Sequence, residues 1–176
     1  MRKFVFGLLV GILVVPVAVV LYLISGRAPA AASDPAMPFE KMIASKALHT
    51  RIDKEMPTSV PIEANEATYL AGAHIYKDHC AMCHGLPNQP LPFVAKGMFP
   101  HAPELLNGKG VTDDPPGETF WKAKNGIRLS GMPEFGSHLS DEQLWQVSLL
   151  LANADKLPES AKQVLAPAPS AIGPQK

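Results

Sequence analysis

The chain has 176 residues, in which 16 basic side chains balance 16 acidic ones. A chain of this length accommodates one domain of ordinary size with additional segments. The balanced charge excludes the strongly basic surface that typically recruits nucleic acid, so we expect no nucleic-acid partner.

An apolar run without a single charge opens the chain, from Phe4 to Ile24. As a helix it would be roughly 31 Å long, which matches the hydrocarbon core of a bilayer. Arg2 and Lys3 precede the run, and positive charges stay on the cytoplasmic side. We therefore predict a single-pass transmembrane anchor over residues 1–25 in the inner (cytoplasmic) membrane, with the rest of the chain on the periplasmic side. A cleaved signal peptide is the alternative, because small residues follow the run.

A linker is predicted over residues 26–63, and it is not uniform. Its first part is rich in proline and alanine, which favours an extended chain. Apolar residues with charges between them follow, and their spacing predicts an amphipathic helix near 39–56. Such a helix could lie on the membrane surface or bind a partner. Packing against the domain that follows is the simplest expectation.

The only two cysteines lie in the stretch "HCAMCHG", as Cys80 and Cys83, and His84 follows directly. A redox disulfide of the thioredoxin type would open a helix in a βαβ unit, but no strand-like alternation surrounds Cys80. Structural zinc requires four ligands, and a second cysteine pair is missing. Attachment of haem uses all three residues, because each thiol can add to one vinyl group while the histidine binds the iron. The motif favours haem.

Helices are predicted on both sides of this motif, which indicates an all-α fold. The upstream helix begins at Asn65, a favourable N-cap, and contains Gly72. The downstream helix begins with Ser140 and Gln143, the spacing of a capping box. A glycine inside a helix costs about 1 kcal/mol relative to alanine. A close crossing with the downstream helix, at Trp145 or Leu149, would explain it.

The stretch "NGIRLSGMPEFG", residues 125–136, contains the best candidate for a second iron ligand. Met132 lies there between Gly131, which permits a close approach of the backbone, and Pro133, which stiffens the chain. Met98 is the rival, only 14 residues after His84. Three nearby polar residues are candidates for binding the haem propionates: Arg128, Trp121 and Asn125.

The segment 64–157 resembles a class I cytochrome c in its stretches "AGAHIYKDHCAMCHG", "NGIRLSGMP" and "LSDEQLWQVSLLLAN". The resemblance implies an all-α cytochrome c-like haem domain with one covalently attached haem c and its iron. Cys80 and Cys83 would hold the haem, and His84 and Met132 would be the axial ligands. In that family a proline carbonyl orients the histidine, and Pro87, Pro90 or Pro92 could supply it. The remainder, 158–176, is predicted to be a disordered tail.

The function predicted from these features is that of a membrane-tethered monohaem c-type cytochrome, an electron carrier and not an enzyme. It would pass single electrons between a donor and an acceptor, both redox proteins of the periplasm or membrane. One alternative is the cytochrome subunit of a dehydrogenase or oxidase complex. Another is a haem-based gas sensor or redox enzyme with a weak sixth ligand.

Overall fold

The computed structural model describes residues 2–107 and 114–167. Their regular secondary structure is helical, and they contain no strand. The all-α prediction is therefore confirmed for this part of the chain. The helices, in chain order, are α1 (Arg2–Ile24), α2 (Glu40–Glu55), α3 (Glu66–Ile75), a π-helical turn (Tyr76–Cys80), α4 (Ala81–His84), α5 (Phe93–Lys96), α6 (Pro116–Asn125), α7 (Asp141–Ala152) and α8 (Glu159–Leu165).

The chain divides into two compact units, residues 1–41 and 42–176. The first unit contains α1, which has Pro16 in its interior. Most large apolar side chains from Leu9 to Ile24 are exposed to solvent. Among the helices of the described residues, none is long and apolar enough to cross a membrane. The transmembrane anchor over residues 1–25 thus stays a prediction.

The second unit is built around a close crossing of α3 and α7. Asn65 caps α3 by accepting a hydrogen bond from the Thr68 amide at 3.0 Å. Ser140 and Gln143 form the reciprocal capping box of α7, as the sequence predicted. A Cβ atom at Gly72 would lie 2.8 Å from the Gln146 carbonyl carbon and 3.1 Å from the Leu150 Cβ. Gly72 therefore marks the crossing point, as expected, but its partners are Gln146 and Leu150.

Trp145, one of the two expected partners of Gly72, instead fixes α6. Its ring stacks on that of Phe120 with centroids 4.3 Å apart and an angle of 17° between the planes. Both side chains are buried in the core of the domain. Such a pair contributes about 0.5–1.5 kcal/mol beyond the area it buries. It ties α6 to the same helix, α7, that supports α3.

The predicted amphipathic helix is α2, and its C-terminal end contacts α6. Ile52 is completely buried, and the Trp121 indole N–H donates to the Glu55 carboxylate at 3.1 Å. Immediately after α2, the Pro57 carbonyl oxygen contacts Gly117 so closely that no Cβ would fit there. The segment from Met42 onward thus belongs to the same compact unit as the haem-type motif.

The prediction of a disordered tail from residue 158 is wrong for the part that the structure describes. The segment contains α8, whose Ala161 and Leu165 are buried in the core. The Lys77 Nζ on the π-helical turn donates to the Val164 carbonyl at 2.8 Å. Burial of these apolar residues offsets the entropy that a disordered tail would retain. The predicted tail also includes residues 168–176, which lie outside the described residues.

Replacing Gly72 with alanine should destabilise the domain, because the new Cβ would overlap the backbone of α7. Overpacking of this kind typically costs about 1–3 kcal/mol. Gly97→Ala is a matched control, since its Cβ would meet its nearest atoms at an ordinary 3.6 Å. Chemical denaturation of both variants measures the difference. Equal stabilities would show that the crossing at Gly72 is not as close as described.

The docking of α2 can be measured with two isoleucines of the same helix. Ile52→Ala removes a completely buried side chain and should lower the free energy of unfolding by about 2–5 kcal/mol. Ile43 is 63% exposed, so Ile43→Ala should change the free energy of unfolding by less than about 0.5 kcal/mol. Thermal unfolding followed by circular dichroism compares the two. A small effect of Ile52→Ala would mean that α2 does not pack on the domain.

Candidate functional site

The cysteine motif lies at the end of one continuous helical segment. α3 passes into the π-helical turn Tyr76–Cys80, and α4, Ala81–His84, follows directly. π-helical turns inside helices are frequently found at functional sites. Cys80 and Cys83 are partly buried, and both have free thiols. Met82 lies between them and is 68% exposed. The helix therefore turns Met82 toward solvent, whereas the two cysteines are partly covered.

The environment of Cys80 differs from that of a redox-active thiol. Burial, followed by the charge of Cys83, raises the pKa of the Cys80 thiol to about 12. Cysteines that exchange disulfides have lowered pKa values, because the thiolate is the reactive form. The thioredoxin-like interpretation is therefore disfavoured by the electrostatics as well as by the all-α fold.

His84 is held in the form that binds a metal. Its Nδ1 lies 2.7 Å from the Pro103 carbonyl oxygen. Because a carbonyl can only accept, Nδ1 carries a proton, and in the neutral imidazole Nε2 keeps its lone pair. Burial lowers the pKa of His84, and the hydrogen bond to Pro103 opposes that effect in part. The result is a neutral imidazole whose orientation is fixed by the partner of its other nitrogen.

The proline that orients His84 is thus not among the three that the sequence suggested. Pro87, Pro90 and Pro92 follow the motif closely, but the carbonyl at His84 is that of Pro103. The intervening chain contains α5 and returns to the motif, so proximity in sequence was the wrong guide. The stretch "HAPELL" around Pro103 carries no local signal for this role.

Tyr76 fixes the backbone at the C-terminal end of the motif. Its side chain is completely buried, and its hydroxyl donates to the Gly85 carbonyl at 2.8 Å. Burial is the main cause that raises the pKa of the Tyr76 phenol, so the hydroxyl keeps its proton and remains a donor. The hydrogen bond fixes the backbone immediately after His84. Sequence analysis did not identify Tyr76 as a hydrogen-bond donor.

Met132 lies in a closed loop, residues 126–136, which we name the methionine loop. Gly126 ends α6 with φ at +66°, a conformation that favours glycine. The Ile127 amide donates to the Met132 carbonyl at 3.2 Å. Farther along, the Phe135 and Gly136 amides donate to carbonyls of α6, each at 3.0 Å. Both ends of the loop are therefore fixed to the C-terminal end of α6, and Met132 is partly buried within it.

The structure brings the methionine loop beside the cysteine motif. The His79 ring, next to Cys80, meets the Phe135 ring edge-on with centroids 6.2 Å apart. Phe135 and Cys80 also pack against the same hydrophobic core. Of the residues proposed from sequence, Cys80, Cys83 and His84 lie on one continuous helix, and Met132 lies on the loop adjacent to it. The loop's dependence on Gly126 was missed, although "NG" is a recognised turn signal.

Two of the three candidates for binding propionates are engaged elsewhere. The Trp121 indole N–H donates to Glu55, and the Asn125 side-chain amide donates to the Trp121 carbonyl at 2.9 Å. Trp121 has a single polar hydrogen, so its proposed role at a propionate is not supported. Arg128 is exposed on the methionine loop.

Residues 67–149 match the family model described as cytochrome c oxidase, cbb3-type, subunit III. They form a domain of the cytochrome c family. A reducing HAO-like protein complex of Kuenenia stuttgartiensis contains a chain of similar structure, with 24% identity and a TM-score of 0.48. That similarity covers 57% of this chain and 49% of the other. Among curated proteins, the search found no significant match.

The cytochrome c domain binds haem c, with its iron, through covalent bonds, and its chemistry is electron transfer. The residues present fit this group. Two free thiols lie three positions apart on one helix, and the imidazole that follows has a lone pair on Nε2 because Nδ1 is bound to Pro103. The adjacent methionine loop adds a neutral thioether, a soft ligand that stabilises reduced iron.

Proposed function

We propose that this protein is a membrane-tethered monohaem cytochrome that carries single electrons between redox proteins on the periplasmic side of the cytoplasmic membrane. The observation that carries the proposal is the imidazole of His84, which a hydrogen bond orients directly after the two thiols. Its Nδ1 is hydrogen-bonded to the Pro103 carbonyl oxygen at 2.7 Å, and His84 directly follows Cys83. A neutral imidazole with one engaged nitrogen is the usual arrangement of a histidine that binds iron.

Each residue of the proposed site has one role. Cys80 and Cys83 would hold the haem through thioether bonds, and the His84 Nε2 and the Met132 thioether would bind its iron. Haem c supplies a one-electron couple between ferric and ferrous iron. Pro103 keeps the imidazole oriented, and Tyr76 fixes the backbone behind it. Cys80 and His84 are both partly buried on this side of the site.

The proposed ligand pair favours an electron carrier over a gas sensor or redox enzyme. With both a histidine and a methionine bound to the iron, no ligand position would be left for a substrate or a gas. A thioether also raises the reduction potential relative to a second histidine. The remaining residues of the site position these ligands.

Met132→Ala tests the proposed ligand set. The reduction potential should fall by a measurable part of the roughly 0.8 V range over which axial ligands set haem potentials. The absorption band that arises from sulfur-to-iron charge transfer should disappear from the oxidised protein. Met82→Ala is the control, because Met82 is 68% exposed. Mass spectrometry should find one haem on each variant. An unchanged potential and band in Met132→Ala would exclude Met132 as the ligand.

A second candidate function is that of a subunit in a larger redox complex. The family model that matches residues 67–149 describes an oxidase subunit, which favours this alternative. In both cases the domain transfers electrons, and only the number of stable partners differs. Haem staining of a native gel of detergent-solubilised membranes separates the two, since a free carrier migrates at the size of the single chain.

The membrane tether is proposed from the first unit of the chain. The run Phe4–Ile24 is without charge, Arg2 and Lys3 precede it, and most of its large apolar side chains from Leu9 on are exposed. Exposed apolar surface of this extent is typical of contact with lipid. The same residues support the orientation with the haem domain outside, because positive charges remain in the cytoplasm.

Carbonate extraction tests the tether. The wild-type protein, followed by haem staining, should remain in the membrane pellet. A variant with Leu13→Asp and Val17→Asp should be lost from the pellet, because each aspartate costs about 3 kcal/mol in the centre of a membrane helix. Met42→Asp with Ile43→Asp, at exposed positions of α2, is the control and should stay in the pellet. Release of the wild-type protein by carbonate would contradict a tether.

A further inference from the structure

Met98, the rival ligand of the sequence analysis, contacts the methionine loop at the residue before Met132. A Cβ atom at Gly131 would lie 2.6 Å from the Met98 Sδ, 3.0 Å from its Cε and 3.1 Å from its Cγ. Three consecutive heavy atoms of the Met98 side chain thus lie along the Gly131 backbone. Met98 is partly buried. This space is filled by a side chain from another part of the sequence, so a Cβ atom at position 131 would require the end of the Met98 side chain to move.

Met98 is itself connected to the cysteine motif. It follows α5 directly, and its amide donates to the Ala95 carbonyl at 3.4 Å. At the other end of α5, the Pro92 Cδ lies 3.5 Å from the position of a Cβ on Gly85, the residue after His84. Ala95 between them is completely buried. α5 is therefore a neighbour of the helix that carries His84, and the residue pair Met98 and Gly131 follows at its other end.

Hydrogen bonds of the Ser130 side chain close the methionine loop around Gly131. The Ser130 hydroxyl donates to the Ile127 carbonyl at 2.6 Å and accepts from the Met132 amide at 3.2 Å. Leu129 has φ at +59°, which a bulky residue rarely adopts. Because the turn is already constrained, a shift of Gly131 moves Met132.

We propose that Met98 is a positioning residue that fixes the location of the Met132 thioether by packing against the Gly131 backbone. This inference rests on the proposed role of Met132 as the ligand opposite His84. Methionine suits such a role, because its unbranched side chain follows an irregular surface closely. Met98 then controls how firmly Met132 is held without binding the iron.

A double-mutant cycle on the full-length haem protein tests the proposal. Gly131→Ala places a methyl group on Met98, and Met98→Ala removes the side chain that it would meet. We expect Gly131→Ala to weaken the sulfur-to-iron band and to raise the affinity for added imidazole about tenfold, which corresponds to about 1.4 kcal/mol. In the double variant the affinity should return to that of Met98→Ala, because the overlap is gone.

Met98→Leu and Gly97→Ala are the controls. Leucine keeps most of the volume, so Met98→Leu should retain the band and an imidazole affinity near that of the wild type. Gly97→Ala introduces the same methyl group one residue from Met98, at ordinary contact distances. It should change neither the sulfur-to-iron band nor the affinity for imidazole. Haem content and thermal unfolding are measured for each variant, so that a folding defect is distinguished from a weakened ligand.

Three results would overturn the proposal. Additive effects of Gly131→Ala and Met98→Ala would show that the two residues do not act through their contact. A wild-type imidazole affinity in Met98→Ala would show that Met98 does not position the loop. Loss of the band in Met98→Leu, with retention in Met132→Ala, would identify Met98 as the ligand itself. That last result also rejects the ligand assignment of the proposed function, whereas the first two leave it intact.

Discussion

The crossing of α3 and α7 at Gly72 is the contact on which the haem-binding domain depends. α3 continues through the π-helical turn into α4, so the positions of Cys80, Cys83 and His84 follow from where α3 is held. Contact with Gln146 and Leu150 holds it on one side. On another side, α8 contributes buried apolar residues and the hydrogen bond from Lys77 to Val164. Residues on supported helices are placed more accurately than residues on loops, and the thiols and the imidazole have this advantage.

Met132 is held differently, because it lies on a loop. Its position depends on α6, to which hydrogen bonds fix both ends of the methionine loop. α6 in turn is stacked on α7 through Phe120 and Trp145, and the hydrogen bond from Trp121 to Glu55 joins it to α2. One helix, α7, therefore supports both halves of the proposed site. It packs on α3 at Gly72, and it packs on α6 through Trp145 and Phe120. A disturbance of α7 would change the relation between the two ligands even though α7 carries neither.

Sequence alone predicted those features whose causes are local. The N-cap at Asn65, the capping box at Ser140 and the all-α class follow from residues a few positions apart, and the structure has them. The cysteine motif likewise contains its chemistry within five residues. The errors concern contacts between distant segments. Pro103 meets His84 only because the chain returns after α5, and α8 forms only because the core offers apolar surface to Ala161 and Leu165. Composition marked that segment as a tail, since it does not reveal what a segment can pack against.

The same distinction applies to the reduction potential of such a site. The identities of the ligands set its broad range, and these can be predicted from a motif. With Met132 as the proposed second ligand, the strength of its thioether bond would depend on how narrowly the methionine loop is confined relative to His84. That confinement comes from residues without chemistry of their own: Phe135 against His79, and Met98 against Gly131. Because a thioether is a neutral and weak donor, a small displacement of its loop changes its bond to iron more than it would change that of an imidazole oriented by a carbonyl. Two cytochromes with the same four motif residues can therefore differ in potential through packing alone.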